Sequence, residues 1–247
     1  AAAEALRSPV IIGTAEDLLP FASLQELAPL LGSMAQRATV PVVLHFDHGL
    51  TEECIYEAID LGFSSVMYDC STLPFEENLQ RVKQMARYAH GKGVSVEAEL
   101  GHVGANSGSA EGTGGDDSIF TDPQQALSFV RQTEVDALAI AIGTAHGAYK
   151  STPKLNFEIL HQSAGLLNTP LVLHGGSGLS DSDFEKTIAG GISKINIFTD
   201  INMAAAEAAY NSYRPAAGCT DLMLPMVQAV QAATQVKMKL FGSGGRC

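Results

Sequence analysis

One repeat constrains this chain more than any other feature: short, near-continuously apolar runs rich in β-branched residues alternate with helix-length amphipathic stretches, with no linker-like segment between units. The runs are Pro9–Ile12, Val40–Phe46, Ser64–Tyr68, Val94–Leu100, Ala137–Gly143, Pro170–Gly175 and Lys194–Phe198. Strands that lack polar alternation and are joined by helices are buried on both faces, which makes the sheet parallel and helix-covered. The expected fold is therefore α/β, a (β/α)8 TIM barrel, with residues 1–247 forming a single domain that includes two C-terminal helices. An open doubly wound sheet accommodates seven strands directly, but polar residues gather at the C-terminal end of almost every run, as a barrel mouth requires. The chain opens AAAEALRSPVII, which reads as the tail of a helix already under way. The first barrel strand is thus expected to be missing from the chain as given.

Helix starts are marked by Ser23 ahead of Glu26, a capping box, by Asp122 before Pro123, and by Ser180 or Asp181. Gly101–Phe120 breaks the pattern with a glycine-rich stretch too long for a plain connection, and is expected to be a mobile active-site loop.

Composition narrows the function. At 46% apolar and 17% charged the 247 residues can bury a large core. The formal charge of −12, with no concentrated basic patch, disfavours nucleic acid and anionic membranes as partners. No apolar run reaches the ~18 residues of a membrane span, and no signal peptide is recognisable. Four cysteines scattered without CxxC spacing suit a reducing compartment, so a cytoplasmic location is expected.

Four of the seven histidines sit at or just after apolar runs: His45 and His48 in HFDHG, His146 in IAIGTAHG and His174 in LVLHGGSG. Side chains at one end of successive parallel strands converge, so His48, His146 and His174 can share a metal ion, with zinc the best match to imidazole donors. His45 falls on the Asp47 side of its strand by period-two alternation and suits an orienting role. Asp47, Asp69 and Glu99 lie at strand ends, where an unpaired buried carboxylate would be costly. Glu97 fits an interior residue paired with a Lys or Arg. HGGSG, with Gly175, Gly176 and Ser177, and NIFTD, with Asn196 and Thr199, follow the last two strands, where barrels commonly hold a phosphate.

Taken in order, HFDHG, SVMYDCS, VEAELGHVG, AIAIGTAHG, PLVLHGGSGL and KINIFTD resemble the class II, zinc-dependent fructose-bisphosphate and tagatose-bisphosphate aldolases, over nearly the whole chain. The resemblance implies reversible cleavage of a phosphorylated ketose into dihydroxyacetone phosphate and an aldehyde by a homodimer or homotetramer. It implies one Zn2+ per chain on His48, His146 and His174, with Asp47 as acid/base for the C4 hydroxyl. Asp69 and Glu99 match an alternative or second metal position. Gly147, Gly175, Ser177, Asn196 and Thr199 match groups around the dihydroxyacetone phosphate half, beside which some members bind a monovalent cation, Na+ or K+. The loop base of the family falls in register near Ser107, and Glu111 is the nearest carboxylate, with Asp116 and Asp117 in reserve. Leu222 stands where the bisphosphate enzymes have an Arg, which implies a less anionic far end of the substrate unless Arg214 substitutes. Two rival readings are a metal-dependent hydrolase on the same barrel and a non-catalytic accessory or chaperone subunit related to tagatose-bisphosphate aldolase.

Overall fold

The computed structural model describes residues 1–105, 120–147, 149 and 153–247. All seven expected strands are present: β1 (Val10–Ala15), β2 (Val42–Gly49), β3 (Ser65–Tyr68), β4 (Ser95–Leu100), β6 (Ala137–Ile140), β8 (Leu171–Leu173) and β9 (Ile192–Ile195). They form one parallel sheet in the order β1-β2-β3-β4-β6-β8-β9. Each new strand adds on the same side as the last, so the reversal of order that defines a doubly wound sheet never occurs. The sheet curls as an incomplete barrel. Its edge strands β1 and β9 face one another across a cavity of about 980 Å³ lined by residues of both, among them Ile12, Gly13, Lys194 and Asn196.

Two-residue strands β5 (Gly104–Ala105) and β7 (Ala145–His146) pair with each other above the main sheet, a ladder too short to leave a periodic signal in sequence. β9 begins two residues before the expected run, because the turn at Gly190-Gly191 leads straight into it, and Asn196–Phe198 belong to the following loop. Helix α1 (Ala2–Leu6) precedes β1, and between strands run α2 (Leu24–Arg37), α3 (Glu52–Asp60), α4 (Phe75–Gly91), α5 (Pro123–Thr133), α6 (Phe157–Leu166) and α7 (Asp181–Ala189). Two further helices, α8 (Thr199–Ser212) and α9 (Cys219–Leu240), follow β9 and pack on each other.

The expected caps form. Ser23 and Glu26 make the reciprocal box, the Asp122 carboxylate accepts from the backbone N–H groups of Gln124 and Gln125, and the Ser180 hydroxyl accepts from Asp183 N–H. Caps of this kind contribute about 1 kcal/mol each and fix where a helix leaves the sheet.

Period-two alternation sorts the strand residues onto two faces. Leu44 and Phe46 of β2, Val66 and Tyr68 of β3, Val96, Ala98 and Leu100 of β4, and Leu138 and Ile140 of β6 belong to the apolar layer shared with Ile55, Leu79, Met85, Phe129 and Leu160 of the helices. Of the intervening residues, Met67 and Ala139 are apolar, whereas His45 and Asp47 of β2 and Glu97 and Glu99 of β4 are buried polar side chains outside that layer. The apolar face holds the barrel together, which leaves the inner face free to carry charge.

Candidate metal centre and active site

The site begins at an irregularity in β2. Phe46 pairs with Val66 but Gly49 pairs with Tyr68, so β2 carries one extra residue against β3. His48 absorbs it with φ of 44°, in the left-handed region that non-glycine residues seldom occupy. Gly49 follows because a Cβ there would stand 2.6 Å from the Met67 carbonyl oxygen. The bulge breaks strict alternation and lets adjacent Asp47 and His48 both serve the site.

His48, His146 and His174 each offer a ring nitrogen, and those atoms all lie within 4.8 Å of one another. The rings stand edge to face, with centroids 4.9 Å apart for His48 and His146 and 4.6 Å for His48 and His174. His48 Nδ1 is 2.8 Å from Asp69 Oδ2 and its Nε2 is 2.9 Å from His174 Nδ1. His174 Nε2 is 2.8 Å from Glu97 Oε1. His146 is 4% exposed, and both of its ring nitrogens lack a hydrogen-bond partner. Leaving buried polar atoms unpaired is costly. A divalent cation on the facing nitrogens of the three rings would satisfy one of the two His146 atoms, so the residues present fit the ion that the donor set implies.

Carboxylates surround the trio. His48, Asp69 and Glu99 form a second group of potential donors, and His45, Asp47 and Glu97 a third. Burial pushes the Glu99 carboxyl up to about 8, reinforced by the negative charge of Asp69. Burial works against ionising Asp47 too, but the positive charge of His48, a hydrogen bond from His45 and the Lys194 ammonium together hold it well below the usual carboxylate range. Burial lowers His146, and the neighbouring His48 and His174 lower it further, which keeps the ring neutral with one nitrogen lone pair free for an ion. Asp47 is also fixed in place: Asn196 Nδ2 donates to its Oδ2 at 2.9 Å, and His45 Nε2 stands 3.2 Å from its Oδ1. His45 is itself anchored by Ser65 Oγ at 2.8 Å.

The two loops expected to meet a phosphate do come together. Ser177 Oγ accepts from Asp200 N–H at 3.2 Å, and a Cβ on Gly176 would approach the Asn196 carbonyl oxygen to 3.0 Å. Thr199 opens α8, whose first turn therefore stands beside the HGGSG loop. Gly147 and Gly175 have φ of 86° and 64°, backbone that a side chain would strain. The Asn196 side chain, expected on the phosphate side, points its amide at Asp47.

Three residues missed in sequence complete the arrangement. Lys194 Nζ lies 2.8 Å from Glu97 Oε2. His102 Nδ1 is 3.1 Å from Ser71 Oγ, whose backbone N–H donates to Asp69 Oδ1 at 3.0 Å. Tyr149 Oη accepts from Ala145 N–H at 2.9 Å and donates to the Gly175 carbonyl at 2.7 Å, tying the His146 and HGGSG loops together. A lysine within a strand was the available signal for Lys194; His102 and Tyr149 sit in loops with no pattern to mark them. Glu111, Asp116 and Asp117 lie outside the described residues. Arg214 is exposed in the connection between α8 and α9, and Leu222 is half-buried in α9.

Comparison with known proteins agrees with this geometry. The family model for class II fructose-bisphosphate aldolase matches residues 1–246. The chain is 39% identical over 256 residues to the fructose-bisphosphate aldolase of Geobacillus stearothermophilus, covering 100% of this chain and 87% of that protein. It is 38% identical over 245 residues to the fructose-bisphosphate aldolase of Staphylococcus aureus strain Mu50, covering 97% and 85%. The crystal structure of the YdjI aldolase from Escherichia coli K12 superposes with a TM-score of 0.86 at 38% identity, covering 99% of this chain and 86% of that one. The chain belongs to the class II fructose-bisphosphate aldolase family.

Proposed function

We propose that this protein, a metal-dependent class II aldolase acting on a phosphorylated ketose, holds one Zn2+ on His48, His146 and His174 and moves the substrate proton with Asp47. The observation that carries the ligand assignment is the His146 imidazole, buried with both nitrogens unpaired beside two further rings. Breaking the bond between C3 and C4 of a ketose leaves an enediolate. A divalent ion supplies Lewis acidity toward the ketose carbonyl and stabilises that charge. Neutral imidazoles leave the cation's charge undiminished, whereas carboxylate ligands would offset it, and the bound ion would supply beside Asp47 the positive charge that a protonated His48 carries without it.

Asp47, held ionised and oriented by Asn196 and His45, takes the C4 hydroxyl proton as the carbon-carbon bond breaks, and returns it in the condensation direction. Gly147, Gly175, Gly176, Ser177 and Thr199 receive the phosphate of the dihydroxyacetone half, with Asn196 at the junction between that half and Asp47. A phosphate in this position faces the first turn of α8. Asp69 and Glu99, close to His48, offer the alternative metal position, and a monovalent cation accompanies the phosphate. Glu111 exchanges the hydroxymethyl proton of dihydroxyacetone phosphate; Glu111→Gln is expected to abolish that exchange with solvent, and unchanged exchange would move the role to Asp116 or Asp117. Leu222 and the exposure of Arg214 support a substrate with one phosphate, so a ketose 1-phosphate should match or exceed a 1,6-bisphosphate in kcat/KM.

The assembly we infer is a homodimer or homotetramer. The support is apolar side chains left exposed on the C-terminal helices, including Met203 at 57%, Leu224 at 63% and Val227 at 60%. Light scattering that returns a monomer mass at micromolar concentration would refute it. Free Cys54, Cys70, Cys219 and Cys247 support a cytoplasmic setting. Among the described residues no helix is long and apolar enough to cross a membrane.

A further inference from the structure

We propose that Glu97, clamped by Lys194, is a positioning residue for His174: it dictates which ring nitrogen that imidazole presents to the ion, and so sets how tightly the ion is held. The inference rests on the ligand role proposed above for His174. Glu97 is 2% exposed on β4, and a carboxylate buried that deeply persists only when its oxygens are matched. Each has a close partner of its own, with His45 a more distant third neighbour. Oε1 is 2.8 Å from His174 Nε2, while Oε2 is 2.8 Å from Lys194 Nζ and 3.8 Å from His45 Nε2.

An ionised carboxylate only accepts hydrogen bonds, so Nε2 of His174 must carry the hydrogen. Nδ1 is then the atom left to present a lone pair, and it is the atom that stands 2.9 Å from His48 Nε2, on the side the trio shares. Lys194 pins the carboxylate from β9, across the inside of the curled sheet. His45, Asp47 and Glu97 are themselves close enough together to hold an ion. The cation in that lower cluster is the Lys194 ammonium, which leaves Glu97 committed to the imidazole and the divalent ion to the trio above.

The test is a double-mutant cycle read as metal affinity. Zinc-loaded protein is challenged with a chromophoric chelator for the parent, Glu97→Gln, His174→Ala and the double variant. Glu97→Gln should lose ten- to hundredfold in affinity in the parent background and nothing further when His174 is already absent. The visible spectrum of the Co2+-substituted protein should change with Glu97→Gln, because the donor set is reoriented. Parent-like affinity for folded Glu97→Gln, or an equal loss in both backgrounds, would overturn the proposal. If His174→Ala itself costs no affinity, it is the ligand assignment that fails. Should Glu97→Gln not fold, Glu97→Asp keeps the charge beside Lys194 while withdrawing the carboxylate from Nε2 by one methylene, and goes through the same cycle with the same expectation.

Discussion

Asp47 and His48 are neighbours in sequence with different tasks, and the separation depends on one backbone angle. With His48 in the left-handed region, its ring joins the trio while Asp47 stays among Asn196, His45 and the Lys194 charge. Asp47→Asn keeps the shape and removes the base, so cleavage should fall by about 10² to 10⁴ while zinc content stays at the parent value. Steady-state kinetics alongside elemental analysis checks both halves, and loss of zinc in that variant would mean Asp47 holds the ion instead. His146→Ala should do the reverse, losing the ion because a ligand is gone while Asp47 remains. The imidazoles were legible because three histidines follow three apolar runs, and parallel strands carry their C-terminal ends to one place. Glu97 was legible as an interior carboxylate awaiting a cation. Its partner was not, because pairing across β4 and β9 depends on how far the sheet curls, which no local pattern encodes.

The elements place the site through their ends, where loops must be held at fixed distances. Tyr149 supplies one such tie through a single hydroxyl, and burial pushes that phenol up to about 12. Tyr149→Phe leaves the Ala145 N–H and the Gly175 carbonyl without their partner, which should cost about 1 to 3 kcal/mol in urea unfolding. Unchanged stability together with unchanged KM would show that the two loops do not depend on the tie. Gly175 is a second point of restriction: its φ is 64°, and a Cβ would stand 2.6 Å from the Ala145 carbonyl oxygen. Gly175→Ala is therefore expected to destabilise by at least about 1 to 3 kcal/mol, measured the same way, and more if the clash forces the His174 loop apart. Strand identity and the caps of α2, α5 and α7 were readable from local residue chemistry. The short β5 and β7 ladder was not, since two-residue strands have no period, and it brings Gly104 and Ala105 beside Ala145 and His146.

At the scale of the whole molecule, metal binding and folding are linked. An ion that binds the assembled histidines but not the unfolded chain stabilises the fold by about 4 kcal/mol when free metal is a thousandfold above Kd. Chelation should therefore lower the melting temperature by several degrees, and Zn2+ should restore it; a melting curve indifferent to both would mean that the three rings do not share an ion. The sequential strand order carries a related lesson. Polar residues at strand ends favoured a barrel over a doubly wound sheet while the strand count alone did not, and the observed order β1-β2-β3-β4-β6-β8-β9 bears out that choice through the absence of any reversal. The central claim is that this curled sheet gathers a metal-dependent aldolase site, and retro-aldol cleavage tests it most directly. A phosphorylated ketose is supplied and release of dihydroxyacetone phosphate is followed for zinc-loaded protein, chelated protein and chelated protein given Zn2+ again. The expected result is cleavage that disappears on chelation and returns with Zn2+; cleavage at full rate by the metal-free protein, or none in any of the three states, would contradict it.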